Sequence, residues 1–289
     1  MKIVNILGGL GKQMFQSALA CSIKAHQPKE EVALDLHCFK GYSLHNGYEL
    51  NKIFQPKFKT AGLKETAKIA YPYCSYNTWR IGSRIFPIRK SMIKENCKRP
   101  VDSSILYLHD SIYYDGYWQS EEYFKDIKGI ILKEFSFPPF DERNEACAKE
   151  IISSNSLSIH IRRGDFLNHP LYKDICTLQY YQDAIKRICA LAKIDHAFIF
   201  SNDIQWCEDN LSLFLNDQMT TYIDWNKGSQ SYNDIHLMSL CKHNIIANSS
   251  FSWWGAWLNP NPDKVVISPR IWDNSGAVSN PICKDWIKI

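Results

Sequence analysis

SLSIHIRRGDF, residues 156–166, decides how this chain folds. The run from Ser156 to Ile161 reads as a buried strand, and it leads straight into Arg162, Arg163, Gly164 and Asp165. Burying that much polarity is costly unless something pairs with it. Asp165 can pair with one arginine. The other needs a partner that the stretch does not supply.

Strand-like runs recur after it at 197–201 (AFIFS), 220–223 (TTYI), 244–247 (NIIA) and 264–268 (KVVIS). Helical patterns separate most of them. In 180–194, Tyr181, Ile185, Ile188 and Ala192 share one helical face. Trp206, Leu211 and Phe214 do so in 204–215, and Ile235, Met238 and Cys241 in 231–242. Strands alternating with helices mean βαβ units and a parallel sheet. Ligands of such sheets bind beyond the carboxyl ends of the strands. His160–Asp165, Ser201–Asp203 and Asn248–Ser252 all lie at such ends.

The first half opens the same way. KIVNIL (2–7) reads as a strand, GGLGKQ (8–13) as a turn, MFQSALACSIKAH (14–26) as a helix and EVALDL (31–36) as a second strand. Residues 40–105 carry no regular pattern. SIYYDGYW (111–118) reads as a strand, and 121–135 as a helix. FPPFDER (137–143) interrupts the pattern with two prolines, which places a boundary there: an N-terminal domain, 1–145, and a C-terminal one, 146–289. A chain of 289 residues matches two domains of roughly 130–150 residues each.

Hydrophobic content of 45% and charged content of 22% are those of an ordinary folded protein. A net charge of +4 is too mild for a nucleic-acid partner. Residues 80–100 are locally basic, with only Glu95 opposing seven lysines and arginines. They read as a solvated face or as a surface for an anionic membrane or anionic lipid-linked substrate. Of the ten cysteines, Cys21, Cys189 and Cys241 fall inside apolar helical patterns, and no spacing suggests zinc. The N-terminus enters a strand within two residues, and no run approaches the roughly 18 apolar residues of a membrane span. The expectation is a reduced, cytoplasmic protein, at most peripheral at the inner membrane surface.

GGLGKQ follows a strand and opens a helix, where glycines admit a ligand to the backbone and helix amides attract anions. A plain tight turn reads the same way. It is neither a Walker loop nor GxGxxG. Arginine's planar fork of donors matches a phosphate. NSSFSWWGAW (248–257) feeds hydroxyls and amides into a helix starting near Trp253, with Trp253, Trp254 and Trp257 as core. No two aspartates are separated by one residue. A bound diphosphate would then be neutralised by arginine and amides, and no metal is expected.

Taken in order, GGLGKQMFQSALA, GYWQSEEYF (116–124), SIHIRRGDF, FSND (200–203) and 233–260 span nearly the whole chain. Together they resemble the bacterial α-1,2-fucosyltransferases. The resemblance implies a GT-B-type α/β fold, two Rossmann-like domains facing across a cleft, with the donor on the C-terminal side. It implies GDP-β-L-fucose as donor, a galactose-terminated oligosaccharide or lipid-linked glycan as acceptor, inversion, and no cofactor. By position, Arg162 would hold the donor β-phosphate, His160 and Asp234 the nucleotide, and Ser250, Phe251 and Ser252 the loop beside the diphosphate. Gly8, Gly9, Gly11, Lys12 and Gln13 would line the donor from the other domain, and Ser201, Asn202 and Asp203 from the neighbouring strand end. Arg162 would then be the arginine without a protein partner, and Arg163 would pair with Asp165 or another acid.

Two residues depart from the family pattern: Lys12 stands for an asparagine, and Asn202 for an acid. The base that takes the acceptor proton is open among Asp165, Asp115, Glu121 and His37. Rival functions are transfer of another nucleotide sugar, attack on a protein acceptor, and glycan binding without catalysis.

Overall fold

The computed structural model describes residues 1–212, 214–215 and 220–289. The chain divides into two units, Met1–Pro138 with Val278–Pro281, and Pro139–Ala277 with Ile282–Ile289.

The second unit holds α6 (Glu142–Ser153), β6 (Ser156–Ile161), α7 (Leu178–Cys189), β7 (His196–Ser201), α8 (Ile204–Leu211), β8 (Thr220–Ile223), α9 (Tyr232–Leu240), β9 (His243–Ile245), α10 (Ser250–Leu258), β10 (Val266–Ser268) and β11 (Ile287–Lys288). The strands run parallel in the order β11-β10-β9-β6-β7-β8. Counted from β6 this is the 3-2-1-4-5-6 order of dinucleotide-binding sheets, which reverses direction between β6 and β9.

All six residues of β6 are buried, and their alternation sorts two environments. Leu157, Ile159 and Ile161 join Tyr181, Ala184, Ile185 and Ile188 of α7 in one apolar cluster. Burying each such aliphatic side chain contributes roughly 1.5–3 kcal/mol. Ser158 instead accepts a 2.6 Å bond from Asn244 on β9, which also donates to the Met238 carbonyl at 2.8 Å and accepts from Asn259 at 2.8 Å. Ser158 thus satisfies a buried amide network, while Ser156 accepts from the Lys242 backbone N–H. Trp253, Trp254 and Trp257 are buried in α10, as expected.

The first unit holds β1 (Lys2–Asn5), α1 (Leu10–His26), β2 (Val32–Asp35), α2 (Leu50–Ile53), β3 (Lys59–Thr60), α3 (Leu63–Ile69), α4 (Tyr76–Ile85), β4 (Met92–Lys94), β5 (Ile112–Asp115) and α5 (Lys128–Glu134). Its sheet is also parallel, β3-β2-β1-β5-β4, and reverses between β1 and β5. Lys2 is buried in β1 because its ammonium donates to the carbonyls of Leu108 and Asp110.

Several elements differ from expectation. The first helix starts at Leu10 with Gly9 at its cap, so Gly11, Lys12 and Gln13 belong to the helix rather than the turn. The helix expected over 121–135 survives only as α5. Ser120 caps a short 3₁₀ turn at Glu122, and fully buried Phe124, with φ −152°, breaks the run. The patternless 40–105 stretch contains three helices and two edge strands. The helix expected over 204–215 ends at Leu211, and residue 213 lies outside the described residues. All ten cysteines are free; Cys21 and Cys241 are buried, but Cys189 is exposed.

Gly255 of α10 faces α9, where an added Cβ would lie 2.7 Å from the Met238 Cβ. That atom cannot swing away as a side-chain tip would. Gly255→Ala gains up to about 1 kcal/mol of helix propensity. Overpacking should cost about 1–3 kcal/mol and outweigh it. We expect a lower urea midpoint at unchanged slope.

Candidate functional site

The reversal between β6 and β9 brings the His160–Asp165 and Asn248–Ser252 segments to the carboxyl edges of neighbouring strands, with Ser201–Asp203 beside them on β7. Gly164, at φ +59°, turns the chain just after the two arginines. A Cβ there would lie 2.7 Å from the Asn202 amide nitrogen, so glycine is required twice over.

Arg163 is fixed from three sides. Its Nε donates to Asp203 at 2.9 Å, and its guanidinium lies 3.9 Å from the Trp206 ring. Asn202 clamps its backbone, accepting from Arg163 N at 2.9 Å and donating to Arg163 O at 3.2 Å. Asp203 also caps α8 by accepting from Trp206 N. Ser201 Oγ accepts from Asp203 N at 3.0 Å. The FSND segment therefore holds the arginine turn in place.

Arg162 corrects an expectation. It does have a protein partner: its Nη2 lies 2.8 Å from Asp165 Oδ1. The glycine turn folds Asp165 back within three residues, and Arg163 finds its acid in Asp203 instead. The pair is partly exposed, and only one oxygen engages the guanidinium.

His160 is buried, and its Nδ1 has no hydrogen-bond partner among the described residues. Burial, helped by the nearby Arg162 charge, pushes its pKa down to about 3, so the ring is neutral. The Phe251 ring centroid lies 5.8 Å away. Ser249, not a residue near Trp253, caps α10 by accepting from Phe251 N. Ser250 and Phe251 are half-buried, whereas Ser252 is buried and donates to the Ser249 carbonyl. Ser252 thus sits in the first turn of α10.

Asp234, in the first turn of α9, is largely buried, and among the described residues its carboxyl has a single hydrogen bond, from Asn226 Nδ2 at 2.8 Å. Burial raises its pKa to about 7 against that one bond. Asn226 exchanges amide bonds of 2.9 Å with Asn144, which also donates to Asp141 and accepts from Trp225 Nε1. His236, pushed down to about 4 by burial, stacks on Phe140 with centroids 4.0 Å apart. Asn226, Asn144, Phe140 and His236 were missed in the sequence. Their only signal is a scatter of polar residues with no fixed spacing.

In the first unit, Gly8 takes φ +98°, and the Lys12 ammonium sits 4.3 Å from the Tyr117 ring centroid. Gly9 and Gly11 stay at the helix start, with Gly11 buried. Gln13 is fully buried: it donates to the Gly8 and Gly47 carbonyls and accepts from Glu49 N. It ties a loop to the glycine turn and has no donor left for a ligand.

Asp115 is buried and holds Asn5 at 3.0 Å and Trp79 Nε1 at 3.1 Å, which removes it as a mobile base. Glu121 sits in a 3₁₀ turn. His37 stands differently. Buried Asp35 at the end of β2 accepts from its Nδ1 at 2.6 Å and from the Tyr113 hydroxyl at 2.9 Å. A carboxylate only accepts, so His37 donates to it through Nδ1. His37 itself is partly exposed.

Among the described residues, no group of three or more His, Cys, Asp or Glu is arranged to hold a metal ion. Among them, too, no helix is long and apolar enough to cross a membrane.

Residues 94–289 match the family model of glycosyl transferase family 11, and the chain belongs to that family. It is similar to an alpha-1,2-colitosyltransferase of Escherichia coli, 29% identical over 99% of this chain and 98% of that one. It is also similar to the O-antigen biosynthesis glycosyltransferase WbnK of Escherichia coli, 29% identical over 98% of each. The galactoside alpha-(1,2)-fucosyltransferase 2 of Mus musculus is 25% identical over 50% of this chain and 44% of its own length. Among solved structures, a NodZ alpha-1,6-fucosyltransferase soaked with GDP-fucose aligns with a TM-score of 0.53 at 16% identity, covering 90% of this chain and 92% of that one. The two parallel-sheet units are thus of the GT-B type.

Asp234 predicts a pH signature for the unliganded protein. Below about pH 4 it is protonated folded or unfolded and costs nothing. Between about pH 4 and 7 the unfolded chain ionises while the folded side chain keeps its proton, so stability falls as pH rises. Asp234→Asn keeps an acceptor for Asn226 and removes the titration. We expect the variant to be more stable than the parent by on the order of 1–3 kcal/mol at pH 8, with the gap shrinking toward pH 4. Urea denaturation across that range measures it. Parallel pH curves for the two proteins would show that the carboxyl is not the source.

Proposed function

We propose that this family 11 glycosyltransferase moves L-fucose from GDP-β-L-fucose to the 2-hydroxyl of a terminal galactose, inverting the anomeric centre and needing no metal ion. The observation that carries the reading is the Arg162 turn at the sheet reversal. A half-buried guanidinium lies beside a neutral buried imidazole, and the start of α10 lies at the next strand end. That is the equipment for a leaving diphosphate.

In the reaction, the galactose O2 forms a bond to C1 of the sugar as the bond from C1 to the β-phosphate oxygen breaks. Negative charge builds on GDP. Arg162 offers a fork of donors, of which Asp165 engages one nitrogen, so the remaining donors serve the phosphate. A fixed cation of this kind acts where charge develops. Asp234 is suited to guanine: its carboxylate would accept from N1–H and the exocyclic amine, and Asn226 would keep it oriented. Binding guanine would ionise a group that is poised near neutrality in the free protein. The acceptor proton needs a base. Of the candidate bases, His37 is the one whose imidazole a buried carboxylate orients.

The similarity to a colitosyltransferase favours a second reading. Colitose is L-fucose without its 3-hydroxyl, so GDP-colitose would satisfy the same diphosphate and guanine contacts. The O-antigen relative supports a lipid-linked glycan as the acceptor.

A donor panel of GDP-fucose and GDP-colitose, with galactose-terminated oligosaccharides and EDTA present, tests the reading. We expect a fucosylated product, 1,2-linked by linkage analysis. Turnover with GDP-colitose alone would establish the second reading. A 1,3- or 1,6-linkage would overturn the assigned regiochemistry. Loss of activity to EDTA, restored by a metal, would overturn metal independence.

Arg162→Lys keeps the charge but loses the fork, and should lower turnover by roughly 10²–10³ with the fold intact by circular dichroism. Arg163→Lys breaks the Asp203 bond and should instead lower stability more than the rate of the folded enzyme. If the two variants exchange these behaviours, Arg163 faces the phosphate.

A further inference from the structure

We infer that α4 and the loop that follows it form a docking surface for an anionic bilayer. The helix is anchored to its own unit by one face. Trp79 Nε1 donates to Asp115, and Gly82 lies so close to Tyr73 that a Cβ would sit 2.3 Å from the ring. A helix turns about 100° per residue, so Ile81 and Ile85 lie one turn apart and share one flank of the helix. They are 55% and 71% exposed. The chain then continues through Phe86 and Ile88, 52% and 61% exposed. Four large apolar side chains in eight residues face solvent, where apolar residues otherwise occur singly.

The charges say what covers them. Between Glu65 and Glu95 the chain contains no acid and six bases. Arg89 is committed, donating to the Ala67 and Ala70 carbonyls and lying over Tyr71. Lys94 donates to the Ser83 carbonyl. Arg84 and Lys90 are exposed and have no hydrogen bond or ion pair among the described residues, and Arg80 is exposed beside them. Apolar tips flanked by unopposed cations suit phosphate headgroups over acyl chains. An apolar protein partner would account for the isoleucines but not for the exclusion of acids. At ten residues the helix is short, so binding should be reversible and salt-sensitive.

Co-sedimentation of the full chain with phosphatidylcholine vesicles, with and without phosphatidylglycerol, tests this. We expect binding only to the anionic vesicles, weakened by salt. Arg84→Glu with Lys90→Glu should weaken partitioning roughly tenfold or more. Ile81→Ser with Ile85→Ser should do the same while leaving the melting temperature and turnover on a soluble acceptor unchanged, since all four side chains are exposed. Equal binding to neutral vesicles, no binding, or variants that bind like the parent would each overturn the proposal. So would a dimer in sedimentation velocity that the same substitutions dissolve, since it would assign the surface to a second copy.

Discussion

The second unit turns on the way Arg163 is held. A strand buried on both faces has to end, and here it ends on two cations. Ion pairing with Asp203, stacking on Trp206 and the two backbone bonds from Asn202 fix one of them completely. Each of these groups stands at the start of α8 or the end of β7, so the clamp also sets how that strand passes into its helix. With Arg163 fixed and Gly164 turning the chain, Arg162 is presented at the edge of the sheet, paired with Asp165 and lying over the Phe166 ring. Breaking such a pair destabilises chiefly by leaving its other charge unpaired. The clamp matters for position: it defines where the second guanidinium stands.

Around that turn the protein keeps polar groups in conditions that oppose their charge. His160 is buried and neutral with an unmatched Nδ1, and Asp234 holds its proton up to about pH 7. Both are costs in the free protein, and both lie beside the strand edges where ligands of such sheets bind. Buried acids also occur in structural networks, as does Asp115 in the first unit, which accepts from both Asn5 and Trp79. What separates Asp234 is that one asparagine bond leaves most of its accepting capacity unused.

The parallel sheets were legible because βαβ spacing leaves a periodic trace. SLSIHI, AFIFS and TTYI became strands within a residue of their reading. Boundaries set by single contacts were not legible. Nothing in GGLGKQ shows that Gln13 will be consumed in part by a carbonyl 34 residues away in sequence, or that α1 begins at Leu10. The pairing of Arg162 with Asp165 depends on the positive φ of Gly164, which reassigns partners that adjacency alone left open. The Asn144–Asn226–Asp234 relay joins residues 82 and 8 positions apart, so no window along the chain contains it. Asp35 and His37 were two residues apart and readable as a pair, yet only the fold brings Tyr113 onto the second oxygen.

The two departures from the family pattern acquire physical content from these contacts. At residue 202 the backbone of Arg163 offers one donor and one acceptor, 2.9 and 3.2 Å from the side-chain amide. An asparagine meets both at once. An ionised aspartate could accept from the N–H but would face the carbonyl with a second lone pair, and would stand next to Asp203. The amide therefore makes the tighter clamp and leaves Asp203 as the only carboxylate on Arg163. Lys12 works in the other direction. Its ammonium rests over Tyr117 at the start of α1, adding a cation where helix amides already favour an anion. One substitution removes negative charge beside the arginine turn, and the other adds positive charge at the first unit's glycine turn. Both shift their own unit toward holding an anion.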